Sequence, residues 1–343
     1  MSTHITSTCL VIGLGIIPIT ASAQIAACAT IVDDRARLAC YDHIARPTAP
    51  PAQSPGTQSR ESIAQAPSQP PASSEPATAF ERQWELRPEL RTGAFRPQSY
   101  RPLYALIHAT TNINDSPSSP TRSTSVDDIR LDRAEAKLQL SFKAKVYEDL
   151  FGSSTDAWFG YTQVSYWQAG NGRYSSPFRE TNYQPEGILI RPLGLAVGDV
   201  RIRYAGIAYV HESNGRSSVL SRSWNRLTGD VGIEYGPWSF NVRPWLRIDP
   251  SSGDKDDNPD IVDYVGRGEL IATYRGRRQV ITLTGRHSLR TGDRSRGSLR
   301  LDWSFPLTGA LDAHVQMFTG YGESLIDYNH RQTTLGVGLS FFD

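Results

Sequence analysis

The sequence predicts an all-β protein: a twelve-stranded antiparallel transmembrane β-barrel that follows a signal peptide and a Pro/Ser/Gln-rich linker. Three observations predict it. After residue 97, strand-length segments alternate apolar and polar residues, which is the period of a strand with two different faces. An even number of such segments, about ten residues each, is typical of outer-membrane barrels. An apolar N-terminal run followed by small residues indicates export.

The alternation defines the individual strands. In the segment 134–146 every even position is apolar, whereas the odd positions carry Glu, Lys, Gln or Ser. Side chains on a strand point to opposite faces in turn, so one face of this segment is apolar and the other polar. Twelve strands are expected, near residues 98–108, 133–146, 157–168, 178–191, 199–213, 221–235, 237–248, 262–275, 278–289, 297–306, 310–321 and 331–342.

Charge and hydropathy exclude some classes of protein. The formal net charge is +1 over 343 residues, so bulk electrostatics give no reason to expect a nucleic-acid partner. Beyond the N-terminus no apolar run reaches the roughly 18 residues of a transmembrane helix. A barrel can still span a bilayer, because only alternate residues have to be apolar.

The residues before the barrel domain, 1–96, divide into three parts. Residues 1–23 are predicted to be a signal peptide, because an apolar stretch leads to Ala21-Ser22-Ala23. The short segment 24–45 contains Cys28 and Cys40, and two cysteines in an exported protein predict a disulfide. A lipid-modified Cys28 is the alternative. Residues 46–96 are expected to be a disordered linker, and residues 97–343 the barrel domain.

The stretch 209–227 combines polar residues that could do chemistry. If it forms a hairpin centred on Ser218, His211 lies opposite Asn225, and Ser213 shares the face of His211. Serine, histidine and asparagine would then supply a nucleophile, a base and a group that orients the base. The alternative is that these are ordinary polar residues of an exposed hairpin tip.

The parity of the strands indicates where this group would lie. Asn225 shares the face of Leu227 and other apolar residues of its strand, so it is expected on the outer wall of the barrel. Upstream of His211, however, arginines share its face and apolar residues lie on the opposite face, which conflicts with a histidine on the outer wall. Either a bulge near Ala205 or Gly206 shifts the register, or Arg201 and Arg203 lie outside the hydrocarbon zone.

The stretch HESNGRSSVLSRSWNRL (211–227) resembles the active-site hairpin of the outer membrane phospholipase A (phospholipase A1) family. Other segments resemble the same family and occur in the same order. They are YTQVSYWQ (161–168), SSPFRETNYQP (175–185), DDNPDI (256–261) and TGYGESLIDYN (319–329).

This resemblance implies a calcium-dependent phospholipase of the bacterial outer membrane that is active as a homodimer. It would hydrolyse the sn-1 and sn-2 acyl esters of glycerophospholipids and lysophospholipids. By the same resemblance, Ser213 is the nucleophile, His211 the base and Asn225 the residue that orients it. The Gly215 amide corresponds to the oxyanion-hole donor.

The resemblance also implies where calcium and the second subunit bind. The hydroxyl of Ser221 and the carbonyl of Arg216 would hold the metal together with the carbonyl of the partner subunit's Ser176. Asp257 matches a residue associated with calcium in the family, and Gln163 matches a glutamine that pairs across the dimer interface. The sequence departs from the family at Ser218, where an aspartate is expected. This removes an acidic ligand from a site in the isolated monomer and leaves the dimer site intact.

Two other functions remain open from the sequence. A non-enzymatic outer-membrane pore or scaffold barrel would keep the hairpin for structural reasons and would conduct ions. A secreted soluble esterase would share the catalytic residues but partition into water.

Overall fold

The computed structural model describes residues 28, 30–45, 76–122, 130–172, 178–248, 250 and 256–341. The chain divides into two compact units, Met1–Gln69 and Pro70–Asp343. The first unit contains helix α1 (Asp34–Ala45). A disulfide joins Cys28, which precedes the helix, to Cys40 within it, with their Cα atoms 5.7 Å apart. The predicted signal peptide lies outside the described residues. No helix in the described ranges is long and apolar enough to cross a membrane.

The second unit is a closed antiparallel barrel, which confirms the predicted fold class. Each of twelve long strands pairs with the strands before and after it, and the last pairs with the first to close the ring. A short additional strand, β1 (Pro97–Ser99), pairs with the second of them. The twelve are β2 (Leu103–Thr110), β3 (Ala134–Tyr147), β4 (Asp156–Trp167), β5 (Glu180–Val197), β6 (Val200–Ser213), β7 (Ser223–Tyr235), β8 (Trp238–Ile248), β9 (Gly268–Arg275), β10 (Val280–His287), β11 (Gly297–Thr308), β12 (Leu311–Gly320) and β13 (Gln332–Phe341).

The two faces of the barrel wall differ as the sequence pattern predicts. Along β7, Trp224, Arg226 and Asp230 are buried in the interior, whereas Leu227 and Tyr235 are exposed on the outside. Large apolar side chains cover the outer wall, as a lipid-facing surface requires. The interior holds many buried charged and polar side chains, which form ion pairs and hydrogen bonds, together with two clusters of apolar side chains.

A short helix packs against the inner face of the barrel wall. Helix α2 (Ala79–Trp84) begins with a capping box formed by Thr78 and Glu81. Phe80 and Trp84 pack against inward-facing aromatic and aliphatic side chains of the wall. The prediction of a disordered linker up to residue 96 is therefore wrong for residues 76–96, and residues 46–75 lie outside the described ranges. The composition of the segment is typical of a linker, but the aromatic side chains of Phe80 and Trp84 are buried inside the barrel.

A bulge resolves the parity conflict in β6. The pairing of β6 with β7 shifts between Ile202 and Tyr204, which leaves Arg203 as the extra residue. Arg203 pairs with Glu234 and Glu81, and past it the odd positions of β6 face outward. The bulge lies slightly before the predicted place and brings His211 to the outer wall.

Candidate active site

Strands β6 and β7 bring the three predicted catalytic residues together on one face. His211 lies directly opposite Asn225, and Ser213 lies opposite Ser223. Their side chains are half-buried on the outer wall, while the alternate residues Glu212 and Trp224 point into the barrel. A hydroxyl, an imidazole and an amide are thus presented to the surface that faces lipid.

The histidine ring is held by the amide of Asn225. Nδ1 of His211 lies 2.8 Å from Oδ1 of Asn225, and the hydroxyl of Tyr209 donates to the same oxygen at 3.0 Å. The amide oxygen can only accept hydrogen bonds, so Nδ1 of His211 is the donor. The ring therefore carries its proton on Nδ1 and leaves Nε2 able to accept one.

The loop after Ser213 is organised by a buried asparagine. Asn214 donates from Nδ2 to the carbonyl of Leu220 at 2.8 Å, and its Oδ1 accepts from the backbone amide of Arg222 at 3.0 Å. The backbone amide of Asn214 closes the loop by donating to the carbonyl of Arg222. These bonds set the path of residues 215–221, which include the predicted oxyanion-hole and calcium residues.

Gly215 occupies a position that only glycine fits well. Its φ of +62° lies in the left-handed region. A Cβ atom there would approach Cε2 of Tyr183 to 3.0 Å. The backbone at the predicted oxyanion-hole donor can therefore approach a bound ester closely.

Arg222 holds the other end of the loop from inside. Its side chain is fully buried and donates to the carbonyls of Val219 and Ser221 at 3.0 and 2.7 Å. Burial lowers the pKa of this guanidinium, with nearby Tyr328 and Asp257 acting in the opposite direction. The guanidinium thus fixes the backbone of Ser221, the predicted calcium ligand.

The predicted calcium residues are only partly described. Ser221 donates to Oδ2 of Asp257 at 2.6 Å, so hydroxyl and carboxylate oxygens lie side by side. Calcium prefers such oxygen donors, and this pair fits it. Arg216 lies in the same loop, whereas Ser176 lies outside the described residues, and nothing is described of the Ser218 side chain. No group of three or more acidic, histidine or cysteine side chains that could together hold a metal ion occurs in the described ranges.

The DDNPDI segment is hydrogen-bonded to the hairpin, and the TGYGESLIDYN segment is hydrogen-bonded to the DDNPDI segment. Oδ1 of Asn258, in the loop after β8, accepts from the backbone amide of Ser223 at 3.0 Å. That loop leads to helix α3 (Ile261–Tyr264). The hydroxyl of Tyr328 donates to Asp260 at 2.5 Å, and burial and this hydrogen bond raise the pKa of the phenol well above its ordinary value.

Gln163 is a polar residue on the outer wall. It accepts from the hydroxyl of Tyr161 at 2.9 Å and donates to Ser165 at 3.2 Å. An amide facing lipid is costly unless its hydrogen-bonding groups are satisfied. Here its neighbours on β4 supply one donor and one acceptor from the same chain.

Sequence reasoning missed several residues that position the site. Tyr209, Asn214 and Asn258 act through hydrogen bonds to the hairpin, and Arg122 reaches Asp257 from the loop after β2. For Tyr209 a signal existed, because it shares the face of His211 two residues earlier. The contact of Arg122 joins positions 135 residues apart, and no local pattern reveals it.

Comparison with known proteins identifies the family. The family model for phospholipase A1 matches residues 80–341. A putative phospholipase A1 of Neisseria meningitidis serogroup B is 39% identical over 350 residues, which cover 92% of this chain and 90% of that protein. The phospholipase A1 of Escherichia coli K12 is 39% identical over 209 residues, which cover 61% of this chain and 70% of the relative.

Two solved structures share the fold. Outer membrane phospholipase A from Escherichia coli matches with a TM-score of 0.65 and 33% identity, covering 74% of this chain and 94% of that one. The Salmonella typhi outer membrane phospholipase dimer with bound calcium matches with a TM-score of 0.66 and 34% identity, covering 75% and 95%.

A closed twelve-stranded barrel with an apolar outer wall defines an integral protein of the bacterial outer membrane. This chain belongs to the phospholipase A1 family, and it is an outer-membrane phospholipase.

Proposed function

We propose that the chain is a calcium-dependent phospholipase that hydrolyses sn-1 and sn-2 acyl esters of glycerophospholipids and lysophospholipids as a homodimer. The observation that carries this proposal is the His211 ring, bonded to Asn225 at 2.8 Å on the outer wall, two residues from Ser213. A phospholipid in the same membrane leaflet can reach these residues without leaving the bilayer.

The first step is acyl transfer to Ser213. Its Oγ attacks the ester carbonyl carbon while Nε2 of His211 removes the hydroxyl proton. The tetrahedral intermediate collapses with cleavage of the bond to the glycerol oxygen. The imidazolium then gives its proton to that oxygen, and the lysophospholipid leaves.

The second step returns the enzyme to its starting state. Water attacks the acyl-serine carbonyl, and Nε2 of His211 takes one of its protons. Collapse of the second intermediate releases the fatty acid, and the imidazolium reprotonates Oγ of Ser213. In both steps Asn225 keeps the ring oriented. A neutral amide suits this position, because an unpaired carboxylate facing lipid would be costly.

Negative charge develops on the carbonyl oxygen in both steps. The Gly215 amide is the proposed donor to that oxygen. Calcium held by Ser221, the Arg216 carbonyl and the partner subunit's Ser176 would supply positive charge beside it, and Asp257 would balance part of that charge. A site built from these groups requires two chains, which is why activity is proposed to follow dimerisation.

A hydrolysis assay tests this proposal. The purified full-length chain in detergent micelles is expected to release fatty acid from phosphatidylcholine when calcium is present. Excess EGTA and His211→Ala should each remove this activity, and cross-linking should detect a dimer under active conditions. Undiminished hydrolysis in EGTA would exclude calcium from the mechanism. Channels in planar bilayers without any hydrolysis would favour the pore instead.

A further inference from the structure

The loop after β2 is attached directly to the segment that carries Asp257. Ser119 and Arg122 form a small backbone bridge within this loop. The Ser119 hydroxyl donates to the carbonyl of Asp257, and the Thr121 hydroxyl donates to the carbonyl of Asp256, both at 2.6 Å. The loop is therefore fixed in place next to the proposed calcium site.

Arg122 places a positive charge on the carboxylate of Asp257. Its Nε and Nη2 atoms both donate to Oδ1, at 3.0 and 2.8 Å. The other oxygen, Oδ2, accepts from Ser221 at 2.6 Å. The Asp257 side chain is 11% exposed, so this ion pair is only partly screened by water. One carboxylate thus contacts both a guanidinium and a proposed metal ligand.

Among the residues that the structure describes, the acidic side chain next to Asp257 in sequence already has a cationic partner. The neighbouring Asp256 is engaged by Arg247 at 2.5 Å. Position 218 in the catalytic loop carries serine, where the family resemblance leads one to expect an aspartate. A divalent cation is attracted by nearby negative charge and repelled by a fixed positive charge. In this chain the carboxylate beside Ser221 is already neutralised.

We propose that Arg122 acts as an intramolecular counter-cation on Asp257 and weakens calcium binding at Ser221, so that calcium binds tightly only when other ligands are added. The inference rests on the calcium dependence proposed above. The guanidinium and the metal compete for the same carboxylate. Arg122 accordingly sets the affinity of the site for the cation and lies outside the catalytic group itself.

Calcium titration of purified variants tests the proposal. Isothermal titration calorimetry would be run on the full-length chain in detergent micelles, as wild type and as Arg122→Gln. We expect Arg122→Gln to lower the calcium Kd by about tenfold, which corresponds to ~1.4 kcal/mol. Arg122→Lys keeps the positive charge and should remain within about threefold of wild type.

Three further variants separate charge from loop attachment. Thr121→Val removes the bond to the Asp256 carbonyl but keeps Arg122, so its Kd should not change. Arg294→Gln removes one positive charge from the turn between β10 and β11 and should also leave Kd unchanged. Asp257→Asn combined with Arg122→Gln should cancel the gain, because the competing carboxylate is gone.

The possible outcomes distinguish failure of this inference from failure of the calcium dependence. Equal finite affinities in wild type and Arg122→Gln would overturn the role of Arg122 and leave calcium dependence standing. A similar gain in Thr121→Val would also overturn it, because loop release would then be the cause. Absence of calcium binding in every variant up to millimolar concentration would overturn both the calcium dependence and this inference.

Discussion

Tyr209 donates a hydrogen bond of 3.0 Å to Oδ1 of Asn225, the same oxygen that faces the ring of His211. The phenol thereby fixes which end of the amide is presented to the imidazole. A residue that never touches substrate in the proposed mechanism thus selects the histidine tautomer that can act as a base.

Replacing Tyr209 with phenylalanine removes only this hydroxyl. One hydrogen bond contributes about 1 kcal/mol, so kcat should fall roughly three- to tenfold, with KM nearly unchanged. Steady-state kinetics on a micellar phospholipid measures the change. Tyr235→Phe, which alters an exposed tyrosine farther along β7, is the matched control and should leave kcat and KM unchanged. An equal loss in both variants would contradict the role of Tyr209.

Asn214→Ala should disable the catalytic loop and leave the barrel folded. The substitution removes the side-chain bonds to Leu220 and Arg222. Leaving buried partners unsatisfied costs about 1–3 kcal/mol, so kcat should fall roughly 10- to 100-fold. Asn241→Ala, which removes an amide bonded to Tyr204 inside the barrel, is the comparison and should keep its activity. Wild-type activity in Asn214→Ala would show that the loop needs no such support.

Trp84→Ala should destabilise the barrel by loosening α2. Trp84 is 2% exposed and packs edge-on against Trp158 and Tyr204. Truncation of such a side chain costs about 3–5 kcal/mol, measurable as a lower urea midpoint in micelles. Phe95→Ala changes a side chain that is 74% exposed and should have little effect. Equal midpoints for Trp84→Ala and wild type would mean that α2 contributes nothing to stability.

Acid should weaken the attachment of α2. Burial alone would raise the pKa of Glu81, but the Thr78 amide and the guanidinium groups of Arg87 and Arg203 more than offset it, so this pKa lies below its ordinary value. The stabilisation is therefore present above the ordinary carboxyl pKa of 4.5 and is lost as pH falls below it through the folded pKa.

Glu81→Gln tests this dependence. Unfolding free energies at pH 6 and pH 3 should differ more in wild type than in the variant, since glutamine does not titrate. An equal pH dependence in the two proteins would assign the acid sensitivity to other groups.

Much of the architecture follows from local sequence pattern. The period of two predicts the number of long strands, because each wall residue faces either lipid or the barrel interior, and these demand opposite polarity. Two predicted strands have wrong bounds: the segment 262–275 begins with helix α3, and the segment 98–108 is divided between β1 and β2. The same rule places Asn225 on the outside. The bulge at Arg203 could be located only approximately, because the extra residue is stabilised by Glu234 and Glu81, which lie far away in sequence.

Other features depend on contacts that no local pattern records. Helix α2 has a recognisable signal in its Thr78–Glu81 capping box, yet the surrounding composition suggests a linker. Its burial depends on a cavity that exists only once the barrel has closed. The contact between Arg122 and Asp257 likewise requires two distant loops to meet.

The identity of the nucleophile is the central claim, and one comparison tests it most directly. Fatty-acid release from phosphatidylcholine micelles in calcium would be measured for Ser213→Ala and for Ser217→Ala, which changes an exposed serine of the same loop. We expect Ser213→Ala to lose at least about a thousandfold in kcat, while Ser217→Ala stays within about twofold of wild type. Hydrolysis by Ser213→Ala at the wild-type rate would contradict the account.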